Sequence, residues 1–400
     1  MLGARIRKPL SISIDKINSF LLFIFLFNTI FIPNDTFMLK DISLILLLMI
    51  NCNKLIDINE KDTTVVFLFG FVLTTATIIQ SIILTGDVIG NVIANYMGYI
   101  LMLYPIIKKS KYDMEKILMS LLKWMVLFII FMTLLDFFNI LPLDKNGILM
   151  WLYSSNNAMI GKGSHLPIGY AMFLKATPML IVALPYFVSK RRYAMSVLTC
   201  IALVLSGTRA NMFMAIAIFA VCIAYKNRKK TGILFCIFAM IAFVLWISMN
   251  DTFINFIVDM FERKSGSDET RQRTLECIFK IWKENPLDLI IGQGYASEFY
   301  DAGSGTLTSN VELSYWNLLR EVGLLGFIPM MVMFLYPAVK MALKGKNIEI
   351  CIGYLAYLVI SYTNPLLHSS TGFTVLLYMY YLCFKQYIFK EKIVYENGEE

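Results

Sequence analysis

Arginine beside hydrocarbon is costly, and Arg209 stands in LVLSGTRANMFMAIAIF, where a short Ser-Gly-Thr-Arg turn separates two apolar runs. Such an arginine binds something anionic or lines a wet cavity; the plainer alternative is a side chain snorkelling to lipid headgroups. Two more, Arg271 and Arg273, lie in a polar segment downstream. Paired guanidiniums clamp a diphosphate through planar, bidentate hydrogen bonds that lysine cannot reproduce. Residues two apart on a helix do not share a face, so these two differ. Arg271 falls one turn before Leu275 on an apolar stripe, and Arg273 one turn before Cys277 on its flank. A solvated or headgroup-facing pair is the alternative reading.

Glu312 is followed by Trp316 and Arg320, four and eight residues on, along one predicted helical face. A carboxylate there can deprotonate an acceptor hydroxyl, the indole can stack on a sugar ring, and the arginine can hold an anion or the carboxylate. A polar helix face in water explains the same spacing. In LIIGQGYASEF, Gly292 and Gly294 bracket Gln293. The strand-to-helix context of a nucleotide fingerprint is missing, so this G-x-G predicts a tight turn. Lys162, in MIGKGSHLPIGY, can add positive charge to an outward cavity, whereas Lys175 falls inside a predicted span and signals a displaced boundary or a paired lysine. The two histidines, His165 and His368, lack a metal-ligand spacing, and the seven cysteines show no paired pattern. Neither a metal, a cofactor nor a disulfide framework is expected.

The elements that must position these residues follow from composition. The 400 residues are 58% hydrophobic and 16% charged, well above the roughly 45–50% apolar content of soluble domains. The apolar residues come in separate runs of about 15 to 25, the length a helix needs to cross a bilayer, and not in the short alternating segments of a barrel. Runs near 17–32, 42–56, 64–84, 88–107, 117–139, 167–188, 194–207, 210–225, 232–249, 322–341, 349–363 and 371–388 predict about twelve transmembrane helices. The expected fold is therefore an all-α polytopic membrane protein, a single integral membrane domain over 1–400. MLGARIRKPL has no cleavable signal pattern, so the first span is expected to act as the anchor.

The net charge of +8 is carried by short basic clusters between apolar runs, such as those at Arg5 to Lys8, Lys108 to Lys111, Lys190 to Arg192 and Lys226 to Lys230. Such placement is a topology signal and not a nucleic-acid patch. With the N-terminus inside, these clusters all fall on the cytoplasmic side, both termini are cytoplasmic, and the turns at 33–36 and 85–87 face out without Lys or Arg. Two longer outer segments remain, 140–166 and 250–321. The second is too long for mere connection. Within it, Leu275, Ile278, Phe279 and Trp282 recur at helical spacing after a Ser267 or Asp268 cap and before Pro286, which predicts an amphipathic helix on the membrane surface. A second helix is predicted from about Asn310 into the tenth span.

In these residues the second half resembles the O-antigen polymerases, the Wzy family, and more distantly the O-antigen ligases. SGTRANMF, two further spans, a large outer loop, Arg273, Gly292-Gln293-Gly294 nineteen residues later, and Gly323-Leu324-Leu325-Gly326 carry the resemblance over about 160–345. The first 140 residues contribute only topology. Ligases look to carry a histidine near the end of the loop, as H-N-x-x-L; here SNVELSYWNLL has Glu312 and no histidine.

The resemblance implies a metal-independent inner-membrane glycosyltransferase facing the periplasm, with undecaprenyl-diphosphate-linked glycans as donor and acceptor. Glu312, Arg209 and Arg273 would be catalytic, Glu312 as the base and the arginines at the leaving diphosphate. Arg271, Arg320, Lys162, Trp316, Gly292 and Gly294 would contact substrate. Membrane lipids and a polysaccharide chain-length regulator are the other expected partners, and nucleic acid is not. A ligase, or a flippase of lipid-linked glycans, is the competing reading; transporters more often show two related halves.

Overall fold

The structure, a computed structural model, describes residues 14–34, 37–55, 60–110, 113–162, 170–226 and 265–396. The expected span 232–249, residues 250–264 of the long loop, His165 and the clusters at Arg5 to Lys8 and Arg228 to Lys230 lie outside them.

The described residues are mostly helical, and no barrel is present among them. Its helices are α1 (Ile14–Phe31), α2 (Leu39–Ile50), α3 (Lys61–Thr85), α4 (Val88–Lys108), α5 (Met114–Phe137), α6 (Gly147–Ser154), α7 (Thr177–Ser189), α8 (Tyr193–Leu205), α9 (Arg209–Lys226), α10 (Ser265–Glu284), α11 (Pro286–Ile291), α12 (Ser314–Leu343), α13 (Ile348–Ile360) and α14 (Ser370–Glu396). Two antiparallel hairpins depart from the all-α expectation: β1 (Ala158–Lys162) with β2 (Tyr170–Leu174), and β3 (Phe299–Asp301) with β4 (Thr306–Thr308).

Among the described residues six helices, α1, α3, α4, α5, α9 and α12, are long and apolar enough to cross a membrane. Helices α7, α8 and α13 are apolar but shorter. At 1.5 Å per residue, a helix of about 13 residues covers about 20 Å, less than the hydrocarbon thickness. The run read as a span at 167–188 divides into strand β2 and helix α7, because YAMFL shows no alternation that would tell strand from helix. Lys175 therefore lies in the turn between them, outside any span, where burial pulls its ammonium below its ordinary pKa.

Helix α14 runs through the centre, with Phe373 and Val375 to Phe384 all buried. It packs on α12, α4 and α1, while α7 packs on α8, α9 and α13. Gly353 of α13 admits the close approach to α7, since a Cβ there would meet Pro185 Cγ at 2.5 Å. Asn18 and Asn51 exchange amide hydrogen bonds of 2.9 and 2.8 Å between α1 and the end of α2. Both spans of the α3–α4 pair are distorted: a π-turn at Leu68–Leu73 faces a 3-10 stretch at Tyr96–Met102.

Lysines at helix ends and turns and on α14 meet at one end of the bundle. Lys108 pairs with Glu60 at 2.7 Å and Asp62 at 3.0 Å, Lys385 pairs with Glu115, and Lys226 donates to the carbonyls of Val188 and Ser189. Arg209, the β1–β2 hairpin and residues 265–312 occupy the other end, called the loop end below.

Candidate functional site

The loop end is built on its own small core. Ile278 and Trp282 of α10 are buried with Phe299, Val311 and Leu313. The stripe expected on a membrane surface is thus covered by the β3 strand and the approach to α12; Phe279, on its edge, is 48% exposed. Helix α10 already runs from Ser265, so Ser267 and Asp268 lie inside it and neither is the cap. The second helix begins at Ser314, which leaves Glu312 ahead of it.

Glu312, Trp316 and Arg320 consequently do not share one face. Glu312 is exposed and accepts from Arg271 Nη2 at 3.0 Å. Arg273 reaches back one turn to Glu269 at 2.5 Å, so the structure brings Arg271, and not Arg273, to Glu312. Trp316 packs edge-on against Phe279, with centroids 5.4 Å apart, and donates its Nε1–H to Tyr362 at 3.3 Å. Arg320 is fully buried. It donates to Asn317 Oδ1, Gln293 Oε1, Ser297 O and Oγ, and Ser309 O, and its guanidinium lies 4.7 Å from the Phe299 ring centroid. Every arm of this guanidinium is engaged with protein, so it acts as the tie that holds the loop.

The G-x-G forms the tight turn its sequence predicts, and more. Gly292 (φ 77°) and Gly294 (φ 94°) run beside an unwound step of α12 at Gly323 (φ 62°, ψ −177°), a conformation open essentially to glycine alone. Gln293 N donates to Arg320 O at 2.9 Å and Gly294 N to Glu321 O at 2.8 Å. Gly292 N is taken by Asp288 O. All three amides are spent within the protein, so Gly292 and Gly294 offer no donor to an anion, in contrast to the substrate contact expected of them.

Arg209 begins α9 after a turn in which Gly207 (φ 67°) lies against β2; a Cβ there would meet Ala171 Cβ at 2.6 Å. Among the described residues Arg209 has no hydrogen-bond or ion-pair partner. Beside it opens an apolar groove of about 730 Å³ between α9, α12 and α13, lined by Ala210, Phe213, Tyr315, Leu358, Tyr362 and Thr363 among others. Tyr362 also receives the Trp316 hydrogen bond, so Arg209's groove and the α10 aromatics meet at one tyrosine. Lys162 pairs with the buried Asp136 at 2.7 Å, at the edge of a 400 Å³ pocket formed with Tyr153 and Leu143. Its charge is neutralised locally.

The first 140 residues contribute more than topology. Gln80 of α3 donates to Ile291 O, and to Val322 O at 3.1 Å. Ser81 Oγ accepts from Tyr295 N at 3.3 Å and Asn91 Oδ1 from Ala296 N at 3.1 Å. The available signal was polar residues inside otherwise apolar helices, with Asn91 and Asn95 one turn apart. His368 is half-buried in the same region: its Nε2 lies 2.6 Å from Asn95 Oδ1 and its ring stacks on Tyr295 at 5.0 Å.

Burial pushes the His368 imidazole down to about 4. A histidine that must stay neutral to fold stabilises less as the pH falls below its unfolded pKa of about 6.5, and the loss continues until the folded pKa is reached. Wild-type protein in detergent should therefore lose about 2 kcal/mol of stability between pH 7 and pH 5 that a His368→Gln variant does not lose. Parallel melting curves for the two across that range would refute the assignment.

A helical integral membrane protein with a folded loop domain at one end of its bundle is the class these features define. Residues 194–331, from α8 into the middle of α12, match the family model described as O-antigen ligase. This match over about a third of the chain is consistent with the O-antigen ligase and Wzy superfamily, which the residue pattern around Arg209 and the G-x-G resembles. No curated protein matches the chain.

Proposed function

We propose that this chain is a polymerase of lipid-linked oligosaccharide repeats in O-antigen or capsule-like polysaccharide synthesis. The observation that carries the reading is Arg209, a cation without a partner among the described residues, one residue before Ala210 in the lining of an apolar groove and within the matched segment. A diphosphate joined to a long isoprenoid has the complementary chemistry: an anion for the guanidinium and a tail for the groove. The loop end faces the periplasm and the basic end the cytoplasm of the inner membrane, following the positive-inside rule.

In the reaction, a hydroxyl oxygen of the acceptor repeat attacks the anomeric carbon of the donor glycan. The bond from that carbon to the diphosphate oxygen breaks, and the lipid diphosphate leaves with the electron pair. Glu312 takes the hydroxyl proton. Arg209, with Arg271 or Arg273, stabilises the growing charge on the leaving group, where fixed donors in a poorly solvated site have most effect. Trp316 stacks on sugar, Lys162, held by Asp136, donates to a sugar hydroxyl at the rim, and Arg320, Gly292 and Gly294 hold the loop.

The description of the matched family favours a second reading, transfer of finished glycan to a different acceptor by a ligase. Gel analysis of surface polysaccharide from cells lacking this gene separates the two. A polymerase leaves single-repeat product and abolishes the long ladder; loss of all surface repeats points to a ligase or flippase, and an unchanged ladder refutes both transferase readings.

A further inference from the structure

We infer that the transfer site is composite, with Gln80 of α3, outside the segment matched to the family, as a positioning residue for it; the inference rests on the function proposed above. Gln80 lies at the loop end of an apolar span, and its amide donates to two backbone carbonyls, Ile291 O and Val322 O, on either side of the crossing between the G-x-G and Gly323. Intramembrane polar side chains are placed where they satisfy something. Here Gln80 satisfies acceptors of another segment, not of its own helix.

The crossing transmits this placement to the chemistry. Residues 320 and 321, just before Gly323, accept the amides of Gln293 and Gly294. Arg320, fixed by that step, binds Ser297 on one side and Ser309 O at 2.7 Å on the other. Ser309 is three residues from Glu312, which holds Arg271. Ser81 and Asn91 secure the next two amides of the same turn, and Gly294 permits the contact, since a Cβ on it would meet Thr85 Cγ2 at 2.5 Å. A shift of α3 against α12 is therefore carried to the Arg271–Glu312 pair through these hydrogen bonds and the three-residue link from Ser309 to Glu312.

The test uses the full chain in lipid vesicles with a lipid-linked repeat as donor and acceptor, comparing Gln80→Glu with Gln80→Lys. Glutamate keeps the shape and removes the donor; lysine keeps donation and changes the shape. The expected result is a fall in kcat of about tenfold for Gln80→Glu with KM nearly unchanged, and recovery to within about threefold of wild type for Gln80→Lys, at equal insertion. Hydrogen exchange of residues 303–312 is followed in the same samples and should accelerate in Gln80→Glu alone. Wild-type kcat in Gln80→Glu, unchanged exchange, or equal losses in both variants with lowered melting temperatures would overturn the inference. If wild type itself makes no polymer, the proposed function fails, and the exchange comparison still decides whether Gln80 positions the loop.

Discussion

Arg209→Lys, inserted normally in the membrane, should lower polymer formation by about 100-fold, the size of loss seen when one fixed donor to a developing anion is removed. Lysine conserves the charge, so a role in lipid-headgroup anchoring would tolerate it. What lysine lacks is the planar fork that engages two oxygens of a diphosphate at once. The position favours that use: Arg209 opens helix α9, is held by a turn packed on β2, and has no competing carboxylate among the described residues. The two loop arginines provide an internal comparison. Arg271 is 26% exposed and already oriented by Glu312, whereas Arg273 is 57% exposed and paired to Glu269 on its own helix. Arg271→Lys should therefore cost more activity than Arg273→Lys, the reverse of the order suggested by the nineteen-residue spacing to the G-x-G. Polymer ladders at matched membrane abundance measure all three; normal chain lengths from Arg209→Lys would remove it from the reaction.

The sequence declares most of the helices, because apolar runs of membrane length have few alternatives. It declares helix α10 as well, through Leu275, Ile278 and Trp282, but assigns that stripe to the membrane surface, where the structure covers it with Phe299, Val311 and Leu313. What it misassigns is instructive. Residues 170–174 read as helix since a strand buried on both faces shows no alternation. Glu312, Trp316 and Arg320 read as one face, which requires the helix to start at least two residues before it does. Arg320 then turns inward, and beside its near neighbours Asn317 and Glu321 it is held by oxygens of Gln293 and Ser309, far off in the chain. The same distance hides the partnership of Gln80 with residues 291 and 322: the glutamine and the two glycine motifs are each visible, but no local rule joins them.

That crossing makes the second large effect a structural one, in Gly292→Ala. Two costs act together. Alanine must adopt φ 77°, ψ 179°, a region essentially reserved for glycine and costing about 1–3 kcal/mol. Its Cβ would also lie 2.5 Å from Gly323 N and 2.6 Å from Val322 C. These are backbone atoms of a buried helix and cannot step aside as a flexible side chain can, so forcing them apart adds about 1–3 kcal/mol. Gly305→Ala isolates the first cost, since Gly305 has φ 71° and nothing within 4 Å of a Cβ; it should lose only about 1–2 kcal/mol. Thermal unfolding in detergent should therefore show Gly292→Ala melting well below Gly305→Ala, with reduced accumulation in the membrane. A G-x-G that cradled a phosphate would behave otherwise. Its alanine variant would retain wild-type stability and bind donor weakly, because the lost group would be an amide facing the anion; here that amide already donates to Asp288 O at 2.9 Å. Wild-type melting with weakened donor binding in Gly292→Ala would thus restore the substrate-contact role and displace the crossing as the reason these glycines are present.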